Sequence, residues 1–157
     1  MLKKLDRVYG KLWRGSRPEC YDDLTHLKSL GITTIVSLQE GYARAKAKLT
    51  GGYATEREDW IAMGGVYYDV PLSNIIPPSP GRLFLVEKLI AENHGVYVHC
   101  FAGVDRTGMS IAYHKVKRFH LTPEEAWQEA VDYGMHRRYR WWKPAFLRAC
   151  AEIPKNA

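Results

Sequence analysis

The sequence predicts an α/β domain with a mostly parallel central sheet flanked by helices. Short runs rich in β-branched and aromatic residues alternate with longer segments whose apolar residues recur at helical spacing. Glycine and proline stand at most of the boundaries between these segments. With 157 residues, 46% of them hydrophobic and 25% charged, the chain is long enough for one substantial core. We therefore expect residues 1–157 to form a single domain.

Four regions are predicted to form the strands, because each is rich in β-branched or aromatic residues and is bounded by turn formers. They are Val8 to Trp13 (an edge strand or hairpin), Ile32 to Leu38, Val66 to Leu72 and Val96 to Val98. Pro71 lacks a backbone N–H and forces the third strand to leave the sheet. In open sheets of this class, ligands bind beyond the carboxyl ends of strands, and the loop after Val98 lies there.

Helices are predicted where apolar residues recur every three or four positions. In chain order, they run from Pro18 to Gly31, from Glu56 to Met63, from Gly81 to Asn93, from Arg106 onward, from Thr122 to Tyr133 and from Trp142 to Ala151. The apolar faces are Cys20, Leu24, Leu27 and Leu30 in the first; Leu85, Val86, Leu89 and Ile90 in the third; and Met109, Ala112, Tyr113 and Val116 in the fourth. The fifth opens with a capping box and a proline at its first position.

Two segments between these elements have no clean period. Gly41 to Thr55, rich in Gly, Lys and Arg, is predicted as a mobile loop or as a weak helix around Tyr42 to Leu49. Ser73 to Pro80 is predicted as a proline-stiffened loop.

Charge and cysteine content narrow the function classes. A net charge of +6 favours anionic partners, among them phosphorylated protein, phosphoinositide, nucleic acid and membrane surfaces. No apolar run approaches the roughly 18–20 residues of a membrane span, and no apolar block follows the basic start as a secretory signal requires. The three cysteines lie far apart without a CxxC pair, so we expect no metal site, and we expect no cofactor. An odd number of cysteines without a secretion signal favours a reduced, cytoplasmic location.

The stretch Val96 to Gly108, VYVHCFAGVDRTG, combines a cysteine and an arginine at phosphate-binding spacing. The backbone N–H groups of a curled loop can form an anion-binding nest at a helix N-terminus. The nest would use Phe101, Ala102, Gly103, Val104, Asp105 and Arg106. Gly103 supplies the torsional freedom that the curl needs. The same field favours the Cys100 thiolate, and Arg106 can bind two phosphoryl oxygens.

Two neighbours of the cysteine and arginine have expected supporting roles. Thr107 can donate a hydrogen bond to the sulfur, and His99 can orient the loop through its ring nitrogens. A lone cysteine is usually a buried structural residue, and we assign that role to Cys20 and Cys150, with a redox partnership to Cys100 as the alternative. For Cys100, the neighbouring residues favour a nucleophile instead.

HCFAGVDRTG resembles the signature HC-x-x-G-x-x-R-[ST]-G of the protein tyrosine and dual-specificity phosphatase superfamily. The segments LWRGSRP, LGITTIVSL and YYDVPLSNIIPPSP are similar to the front half and the general-acid loop of its small members. The resemblance implies hydrolysis of phosphotyrosine or dual-specificity protein substrates through a cysteinyl phosphate on Cys100. Alternatives are a phosphoinositide or RNA 5′-phosphatase and, in another class, a phosphate-binding pseudophosphatase.

The general acid is the point where the sequence departs from that family. Asn74 stands where family members carry an aspartate, and an amide cannot donate a transferable proton. Asp105, inside the loop, is the preferred substitute, with loop bracing as its alternative role; Asp69 on the preceding strand is the next candidate. A third interpretation needs no acid, because phenolate and pyrophosphate are good leaving groups.

The segment His136 to Lys143, HRRYRWWK, interleaves basic and aromatic residues. Such a pattern suits single-stranded nucleic acid, through phosphate contacts and base stacking. We favour packing of the tryptophans at a helix junction, since five tryptophans in a small domain usually serve the core. The segment could equally form a wall of the active-site cleft that attracts anions.

Overall fold

The computed structural model describes residues 2–154 and contains a five-stranded, mostly parallel sheet with helices on both faces. The strands are β1 (Leu5–Tyr9), β2 (Leu12–Gly15), β3 (Thr34–Ser37), β4 (Val66–Asp69) and β5 (Val96–His99). Their order across the sheet is β1-β2-β5-β3-β4, and only the β1–β2 pair is antiparallel. The predicted fold class is thus confirmed, and β5 lies at the centre of the sheet.

Seven α-helices and one short 3-10 segment surround the sheet in the described residues. The helices are α1 (Tyr21–Ser29), α2 (Gly41–Thr50), α3 (Glu56–Ala62), α4 (Pro80–Glu92), α5 (Arg106–Phe119), α6 (Pro123–Tyr133) and α7 (Lys143–Ala151), and the 3-10 segment is Arg137–Trp142. The segment Gly41 to Thr55, predicted as a mobile loop or a weak helix, is therefore helical over α2. Gly51, with a φ of 76°, ends α2 in the left-handed conformation typical of a helix C-terminus.

Alternating side chains of the strands face two different helix layers, as the pleat requires. Ile35 and Tyr97 pack with Leu24, Leu27 and Trp60 from α1 and α3. Their neighbours Val36 and Val98 pack on the other face with residues of α4 and α5. A further apolar cluster joins α4, α5, α6 and α7 and holds Trp127, Trp142 and Phe146.

Two predicted helix faces need correction. The first helix begins at Tyr21 and not Pro18, because Cys20 has extended backbone geometry at the N-cap; Cys20 therefore does not belong to the buried face. In α4, Leu85 is 43% exposed, and the inward position is taken by Glu87, which is 0% exposed. Burial of this carboxylate is tolerated because His114, Lys117 and Arg118 of α5 all contact it.

The capping box predicted for α6 is confirmed in both of its hydrogen bonds. The Thr122 hydroxyl accepts from the backbone N–H of Glu125 at 3.2 Å, and the Glu125 carboxylate accepts from the backbone N–H of Thr122 at 3.2 Å. Each helix of residues 2–154 is too short or too polar to span a lipid bilayer.

Candidate active site

The loop between β5 and α5 carries the candidate nucleophile at its start and the candidate phosphate-binding arginine at its end. Cys100 directly follows β5, and Arg106 is the first residue of α5. Both line a cleft of about 590 Å³, although Cys100 is only 2% and Arg106 only 8% exposed. The two residues that the sequence links to phosphate chemistry therefore meet at one cavity.

The curl of the loop depends on Gly103 and on an arginine from a neighbouring strand. Gly103 has a φ of +78°, in the left-handed region that favours glycine. Arg14 of β2 donates from Nη2 to the Gly103 carbonyl oxygen at 3.0 Å, and its guanidinium lies 3.6 Å from the ring centroid of Tyr133. Nothing in the sequence singles out Arg14 beyond its position at the end of a predicted strand.

The surroundings of Cys100 favour its thiolate. Burial alone would raise the pKa of the thiol, but the charge of Arg106 and hydrogen bonds from Thr107 and from the Gly103 backbone N–H lower that pKa below its ordinary value. Apart from the Cys100 sulfur, the buried Thr107 hydroxyl has no hydrogen-bond partner among the described residues. Its placement therefore favours a thiolate at Cys100.

Arg106 is fixed at the carboxyl end of the sheet. Its Nη1 donates to the main-chain carbonyl oxygens of Leu72 at 3.1 Å and Leu38 at 3.4 Å, just beyond β4 and β3. These bonds hold the guanidinium in one orientation and leave further N–H groups for two oxygens of a phosphate.

His99 connects the loop to α3 through a buried network. Its Nδ1 lies 2.9 Å from the Cys100 carbonyl oxygen, and its Nε2 lies 2.6 Å from Glu56 Oε2. The Tyr67 hydroxyl donates to the same carboxylate oxygen at 2.7 Å. Desolvation disfavours the imidazolium, but the charge and hydrogen bond of Glu56 outweigh it and raise the pKa of His99. These contacts link the signature loop to α3, and the loop-orienting role of His99 stays a prediction.

The general-acid candidates lie in different places. Asn74 lines the cleft of Cys100, and its backbone N–H donates to Glu40 Oε1 at 3.1 Å. Asp69 lines an adjoining cavity of about 230 Å³ and forms ion pairs with Arg44 at 3.6 Å and Arg57 at 3.5 Å. Asp105 lines the cleft itself.

Asp105 is held by His136, a residue without an assigned role in the sequence prediction. Its Oδ1 accepts the backbone N–H of His136 at 2.8 Å, and its Oδ2 lies 2.7 Å from His136 Nδ1. The only sequence signal for His136 is its position at the start of the basic aromatic segment. The two partners lie 31 positions apart in the sequence, so no local sequence pattern reveals this contact.

The basic aromatic segment divides between the core and the cleft. Trp142 is fully buried among the helices, as the packing interpretation expects, whereas Trp141 is exposed. Arg138 and Tyr139 line the cleft together with Lys46 of α2 and Arg17. Besides Arg106, the cleft is therefore bordered by cations from three separate parts of the chain.

The other residues predicted for the site differ in what they present to the cleft. Phe101 and Ala102 line it, and Arg17 lies over the exposed Phe101 ring at 4.3 Å. Gly103 and Val104 do not line it; the Val104 side chain is buried, so a contribution of Val104 to anion binding is limited to its main chain.

The two remaining cysteines lie outside the cleft. Cys150 packs among the helices, where burial raises the pKa of its thiol to about 12. Cys20 is half-buried at the start of α1, and all three cysteines are free thiols.

Comparisons with known proteins agree with this fold and loop. A family model described as the Swiss Army Knife protein DSP-PTPase phosphatase domain matches residues 8–137. No curated protein sequence matches the chain significantly.

Several solved structures with similar folds are phosphatases by name. Tk-PTP in its active form has a TM-score of 0.71 at 18% identity, covering 100% of both chains. PTPMT1 in complex with PI(5)P has a TM-score of 0.75 at 17% identity, covering 96% of this chain and 97% of that one. The core catalytic domain of the PP-IP phosphatase SIW14 from S. cerevisiae has a TM-score of 0.70 at 17% identity, covering 97% and 86%. With its matched domain and its cysteine loop, the chain belongs to the DSP-PTPase family of the protein tyrosine and dual-specificity phosphatase superfamily.

Proposed function

We propose that this protein is a metal-independent phosphatase that hydrolyses phosphate monoesters through a cysteinyl phosphate on Cys100. The observation that carries the proposal is the Cys100 thiol, whose pKa is lowered at the base of a cleft that it shares with Arg106. The sulfur attacks phosphorus while Arg106 binds two phosphoryl oxygens, and the ester oxygen leaves with a proton. Water then attacks the phosphorus of the intermediate, and the thiolate leaves. The three free cysteines support a cytoplasmic location for this activity, with residues 1–157 acting as one phosphatase domain.

The preferred substrate is phosphotyrosine in protein, with dual specificity as the wider form of the proposal. Two exposed aromatic side chains, Tyr42 and Phe101, line the cleft and can pack against an aryl leaving group. An aryl oxygen also leaves readily, because the parent phenol has a pKa near 10. This supports aryl phosphates in a site where Asn74 replaces the usual acid.

A phosphorylated lipid headgroup, or another substrate with more than one phosphate such as an RNA 5′-end, is the second candidate. Arg17, Lys46 and Arg138 line the cleft in addition to Arg106, which is more cationic charge than one phosphate monoester needs. Two proteins of the same fold are named for related ligands, PTPMT1 in its complex with PI(5)P and SIW14 as a PP-IP phosphatase.

The experiment is a substrate panel with the purified protein and its Cys100→Ser variant. p-Nitrophenyl phosphate, a phosphotyrosine peptide, PI(5)P and 5′-triphosphate RNA are assayed between about pH 5 and 8. We expect hydrolysis of the aryl phosphate and the peptide, and loss of both in Cys100→Ser. Turnover of lipid or RNA without the peptide would favour the second candidate. No hydrolysis at any pH would favour a phosphate-binding pseudophosphatase.

A matched pair of variants tests the second candidate more finely. Lys46→Gln removes a cleft cation, and Lys48→Gln removes an exposed charge from the same helix outside the cleft. If multiply phosphorylated substrates are the natural ones, only Lys46→Gln raises their KM while the KM for p-nitrophenyl phosphate stays constant. Equal KM values of the two variants for multiply phosphorylated substrates would count against that candidate.

A further inference from the structure

Hydrolysis of a phosphate ester with a poor leaving group needs a group near Cys100 that gives a proton to the leaving oxygen. The acidic and amide side chains nearest to Cys100 are poorly suited to this role. Asn74 carries an amide, and Asp69 lines the adjoining cavity between two arginines. Glu40 lines the cleft, but one of its oxygens accepts the Asn74 backbone N–H. Asp105 lines the cleft with both of its oxygens facing His136. A carboxylate with both oxygens so engaged is poorly placed to release a proton into the cleft.

His136 is the exposed member of its pair with Asp105. Its side chain is 56% exposed, compared with 11% for Asp105, and it lines the same cleft as Cys100. Nδ1 is engaged by Asp105 Oδ2, whereas Nε2 makes no hydrogen bond within the described part of the chain. A carboxylate that binds one ring nitrogen fixes the tautomer and leaves the other nitrogen for proton transfer.

Building on the proposed function, we propose that His136 is the general acid of this phosphatase and that Asp105 is its positioning residue. In the first step, Cys100 Sγ bonds to phosphorus, the bond from phosphorus to the ester oxygen breaks, and the Nε2 proton moves to that oxygen. In the second step, neutral Nε2 takes a proton from the attacking water, and the bond from sulfur to phosphorus breaks with release of phosphate. The imidazolium and the thiolate are thus restored.

The position of Asp105 in the chain explains why the pair can act as a unit. Asp105 directly precedes Arg106, so its pair with His136 lies beside the phosphate-binding arginine. The backbone N–H of His136 binds the second carboxylate oxygen and ties the start of the 3-10 segment to the loop. This contact holds the main chain of His136 at the cleft, beside the loop.

Other ionisable groups border the same cleft as His136. They are Glu40, Tyr42 and Lys46 in and before α2, Arg138 and Tyr139 in the 3-10 segment, and Arg17, Cys100, Asp105 and Arg106. The test therefore compares leaving groups as well as pH profiles, because only proton donation to the ester oxygen depends on the leaving group.

His136→Gln is assayed with phenyl phosphate, a poor leaving group, and p-nitrophenyl phosphate, a good one. We expect kcat to fall by about 100-fold for phenyl phosphate and by less than about tenfold for p-nitrophenyl phosphate, with loss of the alkaline limb of the phenyl phosphate profile. The substitution keeps the backbone N–H that binds Asp105. His26→Gln, an exposed histidine on α1, is the control and should change neither substrate.

Equal losses for the two esters in His136→Gln would overturn the proposal. It would also be overturned if Asp105→Asn or Glu40→Gln lost the poor leaving group selectively while His136→Gln did not. If His136→Gln does not fold, NMR titration of the His136 ring in the wild-type protein decides. Its midpoint should match the alkaline limb of kcat/KM, and a mismatch of about one pH unit or more would contradict the assignment. Failure of the wild type to hydrolyse p-nitrophenyl phosphate would instead refute the proposed function.

Discussion

Gly103 of the signature loop and Gly15 of β2 meet backbone to backbone. A Cβ added to Gly103 would lie 2.3 Å from both the carbonyl carbon and the carbonyl oxygen of Gly15. A Cβ on Gly15 would in turn lie 2.3 Å from the Lys4 carbonyl oxygen and 2.4 Å from the Tyr97 hydroxyl. The loop is therefore shaped against the end of a neighbouring strand, and the curl that collects its N–H groups leaves no room for a side chain at either glycine.

Gly103→Ala should damage both stability and catalysis. The left-handed conformation costs a residue with a Cβ about 1–2 kcal/mol, and the steric contact with Gly15 adds to that cost. Because the loop must shift, we expect kcat/KM for p-nitrophenyl phosphate to fall about 100-fold. Steady-state kinetics and urea unfolding measure the two effects. Gly81→Ala is the control, since nothing lies within 4 Å of a Cβ there, and unchanged kinetics in Gly103→Ala would contradict the prediction.

Cys100 should be the reactive thiol of the protein at neutral pH. Its pKa is lowered, whereas burial raises the pKa of Cys150 to about 12. Iodoacetamide should therefore alkylate Cys100 with a midpoint below the ordinary thiol value of about 8.5 and leave Cys150 unmodified. Arg106→Ala should move that midpoint upward by about one pH unit or more, because the favourable charge is gone. Peptide mass spectrometry over a pH series gives the rates, and an unchanged midpoint in Arg106→Ala would refute this explanation.

Asn74→Asp should add an acid to the cleft wall. A carboxylic acid at this position can donate a proton, which the native amide cannot do. We expect kcat for phenyl phosphate to rise by about tenfold near pH 5, with little change for p-nitrophenyl phosphate. The same substitution should partly restore phenyl phosphate hydrolysis in His136→Gln. Equal effects on the two esters would show that position 74 does not reach the leaving oxygen.

Glu87 should make the protein sensitive to acid. Burial alone would raise its pKa, but hydrogen bonds from His114, Arg118 and Lys117 lower it from 4.5 to about 2. A lowered pKa means that the folded state binds the proton less tightly than the unfolded state. The stabilisation is thus present above pH 4.5 and is lost as the pH falls towards 2, with a total on the order of 3 kcal/mol.

Urea unfolding of the wild type and of Glu87→Gln at a series of pH values tests this prediction. Glu87→Gln should be less stable at neutral pH and should lose less stability on acidification than the wild type. Glu92→Gln, which removes an exposed carboxylate of the same helix paired with Lys88 at 4.0 Å, should change stability by less than about 0.5 kcal/mol. Parallel acid profiles for the wild type and Glu87→Gln would contradict the role of Glu87.

The sequence predicts the sheet, the loop and the α6 capping box because each depends on neighbours close along the chain. A β-branched run, a glycine curl and a Thr-Pro-Glu-Glu start are local patterns, and the structure has the corresponding elements. Thr107 and His99 are predicted as supporting residues because they adjoin Arg106 and Cys100 in the sequence. Thr107 lowers the pKa of the Cys100 thiol, and His99 Nδ1 lies 2.9 Å from the Cys100 carbonyl oxygen.

The parts that sequence reasoning missed depend on contacts between distant segments. Glu87 replaces Leu85 at the inward position of α4 because three basic residues of α5 meet it, and helical periodicity carries no information about them. Arg14 reaches Gly103 across 89 residues, and His136 reaches Asp105 across 31. Side chains that support an active site from other elements leave no pattern in their own segment.

In the proposed mechanism, Cys100 carries the phosphoryl group during turnover. The direct measurement is rapid acid quenching of the wild-type protein with p-nitrophenyl phosphate, followed by mass spectrometry of its peptides. We expect one phosphoryl group on the peptide that contains Cys100, formed at the rate of the p-nitrophenol burst and lost in Cys100→Ser. A phosphoryl group on a histidine instead, or wild-type turnover retained in Cys100→Ser, would refute covalent catalysis by Cys100.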